Sequence, residues 1–118
     1  MITGLILKAA FEVHNALGCG FLEKVYENSL CVELKKKGIS FSQQKPINVY
    51  YNNEIVGEYF ADILVKNSVI VELKTISKIE KIHEAQLLNY LKATNKKIGL
   101  LLNFAKPNLE IKRMVNDL

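Results

Sequence analysis

Apolar residues recur at Ile2, Leu5, Ile6, Ala9, Val13 and Leu17, the spacing of one helical face, and Gly18 supplies the stop expected after it. A second helix is predicted from about Leu22 to Lys37, with Leu22, Val25, Tyr26, Leu30 and Leu34 on its apolar side and Gly38 ending it. From Ile39 the period falls to two. Ile47, Val49 and Tyr51 alternate with polar neighbours after Pro46, Asn52-Asn53 signals a turn, and Glu54 to Val65 reads as the returning strand. After the turn at Lys66-Asn67-Ser68, the stretch Val69 to Thr75 is β-branched and almost continuously apolar, as a strand covered on both faces should be. A helix containing Ile79, Ile82, Leu87, Leu88 and Leu91 follows, started either by a Ser77-x-x-Glu80 capping box or later, near His83. Lys97 to Phe104 is another buried strand, so Val69 to Phe104 predicts a right-handed parallel crossover. Pro107 interrupts the chain before a short final segment, Leu109 to Leu118.

Composition narrows the class. With 118 residues, 49% hydrophobic and 24% charged, the chain fits one compact domain over 1–118, without linkers, repeats or low-complexity stretches. The apolar start meets Lys8 and Glu12 too early for a signal peptide, and no apolar run approaches the ~18 residues of a membrane span. Cys19 and Cys31 form no CxxC motif and suggest no disulfide framework, so a reducing cytoplasm is the expected location and Cys31 reads as a small core residue. The net charge of +4 comes from 16 Lys+Arg against 12 Asp+Glu, and all but Arg113 of those cations are lysines. Bidentate arginine readers of phosphate and guanine are therefore scarce. Residues 1–59 are neutral overall and the whole excess lies in 60–118, which places the expected setting of a phosphate-handling site in the second half. Lys35-Lys36-Lys37 complements a helix C-terminus rather than marking a nucleic-acid patch.

Glu72 and Lys74 stand out because they interrupt an apolar strand, where unpaired charge costs several kcal/mol per ion. A local ion pair would account for an isolated Glu-x-Lys. Asp62 changes the weighing: a hairpin symmetric about Asn67 puts it directly opposite Glu72, with Cβ atoms ~5 Å apart, and facing like charges are destabilising. Two converging carboxylates and a main-chain carbonyl, that of Leu73, make a hard-oxygen site suited to Mg²⁺ or Mn²⁺. Lys74 shares the face of Glu72 and could stabilise phosphate charge or position an attacking water. Gln86 and Tyr90 lie four apart on the following helix, and Glu23 and Tyr26 three apart on an earlier one, so each pair shares a face. His14 and His83 lack the partner spacing of a zinc site, and His83 reads as a cap or lining residue.

Asp62, nine intervening residues and Glu72-Leu73-Lys74 resemble the motif of the PD-(D/E)xK nucleases. Gly20-Phe-Leu-Glu23-Lys-Val-Tyr26 is similar to the signature of the small GxxExxY proteins, and Gln86-Leu-Leu-Asn-Tyr90 resembles the QxxxY motif of the RecB-like branch. The resemblance runs from about Leu5 to Asn116. It implies an α/β fold, a restriction-endonuclease-like αβββαβ core with a mixed sheet flanked by helices and an extra N-terminal helix. It also implies that Asp62, Glu72 and Glu23 serve the metal, that Lys74 assists the attacking water, that Gln86 arranges the site or contacts substrate, and that Tyr26 and Tyr90 support it. The implied reaction is Mg²⁺-dependent phosphodiester hydrolysis leaving a 5′-phosphate, on DNA ahead of RNA. Ala61 stands where the superfamily's nominal proline would be, and Phe60 is apolar where a basic residue is common. The competing expectations are a non-catalytic nucleic-acid-binding module and a protein-interaction domain that retain the fold. A homodimer would give so short a nuclease a second grip on substrate, although no residue pattern demands one.

Overall fold

The computed structural model describes residues 1–117, so Leu118 of the expected final segment lies outside the described residues. Helix α1 spans Ile2–Leu17 and stops at Gly18, whose φ of 69° is open to glycine at little cost. Helix α2 spans Glu23–Lys36. Ile6, Ala9, Ala10 and Val13 of α1 and Tyr26, Leu30, Cys31 and Leu34 of α2 form one core with the sheet. The expected apolar side of α2 needs correction at its start: Leu22 is 82% exposed as the N-cap, and Val25 is 38% exposed. Leu22 precedes the helical turn and does not share its face, and the stripe that meets the sheet is rotated to include Glu27, only 2% exposed.

Five strands follow: β1 Phe41–Tyr51, β2 Glu54–Val65, β3 Val69–Lys74, β4 Ile98–Asn103 and β5 Glu110–Val115, with helix α3, Lys81–Thr94, between β3 and β4. The sheet order is β1-β2-β3-β4-β5, antiparallel throughout except for the parallel pair β3 and β4. Asn52 and Asn53 turn β1 into β2 with φ of 49° and 66°, the left-handed pair of a primed hairpin turn that asparagine tolerates. Lys66 and Asn67 do the same between β2 and β3. The final segment supplies β5, an edge strand on β4 that extends the expected αβββαβ core.

The sheet is covered on both faces. Val69, Val71, Leu73, Leu100 and Leu102 pack with α1 and α2, and Ile70 and Leu101 pack with Leu87, Tyr90 and Leu91 of α3. α3 begins at Lys81 with Glu80 as its cap, not at Ser77, because the Glu80 N–H donates to His83 Nδ1 over 2.9 Å and closes the first turn. His14 is structural too: it is buried, its Nε2 lies 2.9 Å from the Lys106 carbonyl, and its ring packs beside Phe104. Cys31 sits in the core with its thiol pushed up to about 11 by burial, and Cys19 is exposed and free. No helix among the described residues is long and apolar enough to cross a membrane.

Candidate active site

The β2–β3 register runs Val65↔Val69, Leu64↔Ile70, Ile63↔Val71, symmetric about Asn67 as expected, and its next step would be Asp62 opposite Glu72. The main-chain ladder stops one pair short of it. In its place the two side chains bridge the strands crosswise: the Asp62 N–H donates to Glu72 Oε2 over 2.8 Å, and the Leu73 N–H donates to Asp62 Oδ2 over 2.9 Å. Each carboxylate thus has one oxygen fixed by backbone of the opposing strand. The alternation of β2 also breaks here. Ile63 and Val65 face the α1/α2 core, yet Leu64 and Ala61 both face the α3 core. Opposite Asp62 on β1, Gln44 holds a φ of 54°, a costly conformation for a residue with a Cβ. Such irregularities cluster beside active sites because they re-aim side chains.

Glu72 is 7% exposed. Burial first, and the neighbouring Asp62 carboxylate second, push its pKa up to about 8, while Lys74 pulls the other way. Asp62 is raised as well, mainly by desolvation, with the Leu73 N–H opposing it. Glu23, in the first turn of α2, is raised by burial and then by Asp62, with Lys74 lowering it. Lys74 therefore acts on all three carboxyl groups, from the end of β3 and two residues beyond Glu72 on the same face.

One member of the constellation was not expected. Glu27 is buried, ion-paired with Lys24 at 3.0 Å, and receives the Gln43 amide at 2.6 Å and the Gln44 amide at 3.1 Å. Gln44 also reaches Asp62 Oδ1 at 3.4 Å, so it links the two carboxylates. The available signal was the spacing from Glu23 to Glu27, which places both on one face of α2. Gln43 and Gln44 carry no comparable signal, since their role depends on the strand to which β1 pairs.

The other expected residues divide. Tyr26 anchors the loop before α2: its hydroxyl donates to the Gly18 carbonyl at 2.7 Å and accepts the Phe21 N–H at 3.3 Å, and its ring stacks on Phe104 at 4.6 Å. It thereby ties down the Gly18-Cys19-Gly20 loop that leads into Glu23. Tyr90 is buried, with its hydroxyl pushed up to about 12 by desolvation and then by Glu72, so it borders the carboxylates. Gln86 is exposed and lines a cleft between α3 and the β1–β2 hairpin.

Among the described residues, Lys24 and Lys74 are the cations that act on Glu23, Glu27, Asp62 and Glu72, so the immediate cluster is acidic. The basic excess of residues 60–118 is spread elsewhere: Lys96 binds Asn67, Lys112 pairs with Glu84 and Lys106 with Glu110. Surplus carboxylate charge held in a poorly solvated site fits a hard divalent cation in chemistry. Among the described residues, however, no three His, Cys, Asp or Glu side chains are gathered tightly enough to hold one ready-made. Asp62 Oδ1, the second Glu72 oxygen and the Glu23 carboxylate are the donors not held by backbone.

No curated protein matches the chain. A crystal structure described as that of SSO0001 shares the fold with a TM-score of 0.59 at 16% identity, over 80% of this chain. The chain spans only 51% of that protein's length. The family model of the PD-(D/E)XK nuclease superfamily matches residues 1–114, which takes in both helices before the sheet, the Asp62 and Glu72 crossing and four full strands. On that match, the chain belongs to the PD-(D/E)XK nuclease superfamily.

Proposed function

We infer that residues 1–118 act as one nuclease domain that hydrolyses phosphodiester bonds of DNA, ahead of RNA, with Mg²⁺ and with Mn²⁺ able to replace it. The observation that carries this reading is the crosswise pair of a half-buried Asp62 and a buried Glu72, with burial and the Asp62 charge raising the Glu72 pKa and Lys74 beside them. Asp62, Glu72, Glu23 and the Leu73 carbonyl would hold the cation, whose contribution is to offset the carboxylate charge and polarise the phosphodiester. The remaining work belongs to the chain. Lys74 positions the attacking water and meets the charge that develops on phosphate. As the water oxygen bonds to phosphorus the bond to O3′ breaks, leaving a 5′-phosphate and a 3′-hydroxyl. Gln86 contacts the substrate from the cleft, and Tyr90 and Tyr26 hold the walls. The motifs at Gly20-Glu23-Tyr26 and Gln86-Tyr90 support a place among the GxxExxY proteins of the RecB-like branch, working in the cytoplasm, as a homodimer where one copy grips too little DNA.

A second reading, a module that keeps the fold but binds without cutting, draws on the absence of a ready-made trio of ligands among the described residues. Incubating the protein with plasmid and single-stranded DNA in Mg²⁺, Mn²⁺ or EDTA separates them. The nuclease reading expects metal-dependent products carrying 5′-phosphates. Binding without any cleavage supports the second reading and refutes the first.

A further inference from the structure

Between α3 and the β1–β2 hairpin lies a cleft of about 800 Å³, within the roughly 300–1,000 Å³ typical of small-molecule sites. Val49 and Tyr59 form its hairpin wall, and Gln86, Asn89, Tyr90 and Lys92 belong to its helix wall. Three features limit what it can hold. Tyr59 is 44% exposed and packs its ring against Tyr90 at a centroid distance of 5.0 Å, so the pair brings accessible aromatic surface to the cleft. The amides of Gln86 and Asn89 make no hydrogen bond to other described residues, so both remain available as paired donors and acceptors. Lys92 lines the cleft and no Asp or Glu does, in contrast to the acidic cluster next door. Accessible aromatic surface, free amides and a cation without an acid suit a planar heterocycle on an anionic backbone.

The cleft adjoins the carboxylate site through Tyr90. Tyr90 lines the one and borders Glu72 of the other, and Tyr59 lies three residues before Asp62 on β2. We propose that this cleft is a nucleobase subsite, in which an unpaired base of the substrate strand stacks on Tyr59 and presents its edge to Gln86 and Asn89 while its phosphate lies at Asp62 and Glu72. The inference rests on the reading of the carboxylate pair as a phosphodiesterase site and makes the preferred substrate single-stranded or locally unpaired nucleic acid. A base inside a regular duplex cannot enter, because its faces and edge are already engaged.

Binding measured without cleavage tests it. A short single-stranded DNA carrying one 2-aminopurine, and the same strand annealed to its complement, are titrated with the protein in EDTA. The single strand should bind at least about tenfold more tightly than the duplex, with its fluorescence quenched by stacking. Tyr59→Ala should weaken that binding by roughly 5- to 150-fold and abolish the quench, as loss of one stacked base does. Tyr59→Phe, which keeps the ring, should retain both, and Gln86→Ala should weaken binding without removing the quench. Equal or tighter duplex binding, an unaffected Tyr59→Ala variant with an unchanged melting temperature, or a Tyr59→Phe as damaging as the alanine would overturn the proposal. So would a shift of Tyr59→Ala from dimer to monomer with DNA binding intact, which would assign the cleft to a second copy of the chain. Failure of the nuclease reading looks different: the base site binds and quenches normally, yet no metal ion produces cleavage.

Discussion

Replacing Glu72 with glutamine should make the metal-free protein more stable at alkaline pH and blind to divalent cations. Glu72 titrates near 8 in the folded chain against a reference of 4.5, because burial and Asp62 disfavour its charge. A raised carboxyl pKa means that the folded state holds a proton that the unfolded chain releases. Its contribution to stability is therefore complete below pH 4.5 and is lost as pH rises from there through 8. Converted at about 1.4 kcal/mol per pH unit, the displacement corresponds to an upper limit of about 5 kcal/mol. Glutamine keeps an oxygen to accept the Asp62 N–H, which Glu72 receives at 2.8 Å, and carries no charge to desolvate. Urea unfolding in EDTA between pH 5 and 9 should show wild type falling relative to Glu72→Gln, the gap opening by several kcal/mol across the window.

The divalent cation should narrow that gap. Binding to the folded state alone at a hundredfold excess over Kd contributes about 2.7 kcal/mol, which for a domain of this size raises Tm by roughly 10 °C. Wild type should gain this with Mn²⁺, more at pH 8 than at pH 6, since only the ionised pair binds metal. Glu72→Gln should not respond. Parallel pH profiles for the two proteins in EDTA, or an equal rise in Tm with Mn²⁺, would refute the account of this carboxylate.

Three substitutions probe the scaffold by urea unfolding. Tyr26→Phe removes the hydroxyl that joins the Gly18 carbonyl to the Phe21 N–H, and should cost about 1–3 kcal/mol while loosening the loop before Glu23. Gly99→Ala drives a Cβ to within 2.9 Å of three atoms of the buried Leu87 side chain, so about 1–3 kcal/mol should be lost to overpacking. Asn103, fully buried, accepts the Ile76 and Ala105 N–H groups and donates to the Ile76 carbonyl and Glu110. Asn103→Ala strands these groups, should cost at least about 2 kcal/mol, and should free the loop that follows Lys74. A loss under about 0.5 kcal/mol in any of the three would contradict the contact on which it rests.

The elements were legible wherever their cause was local. Gly18 and Gly38 stop helices, paired left-handed residues at Asn52-Asn53 and Lys66-Asn67 turn strands, and symmetry about Asn67 brings Asp62 to Glu72. What the chain conceals is non-local. Glu27 reads as one more charged helix residue until β1 sets Gln43 and Gln44 over it, and the crosswise bonding of Asp62 and Glu72 requires the ladder to end at Ile63 and Val71. The charge balance misleads for the same reason: Lys96, Lys106 and Lys112 are engaged with Asn67, Glu110 and Glu84, while Lys24 and Lys74 are the lysines that act on the acidic cluster among the described residues. The motif at Gln86 and Tyr90 does place both on α3, but Tyr90 turns towards the carboxylates while Gln86 opens onto the cleft.

The central claim, that Asp62, Glu72 and Lys74 together hydrolyse a phosphodiester, is tested most directly by single-turnover cleavage of a 5′-labelled single strand by wild type, Asp62→Asn and Lys74→Ala. Wild type should cut in Mg²⁺ and Mn²⁺ and not in EDTA, and each variant should lose about 10²-fold or more in rate with its fold intact by circular dichroism. Cleavage that persists in EDTA, or that either variant retains within about threefold of wild type, would contradict the account, because the loss of a group that stabilises the transition state cannot be so small.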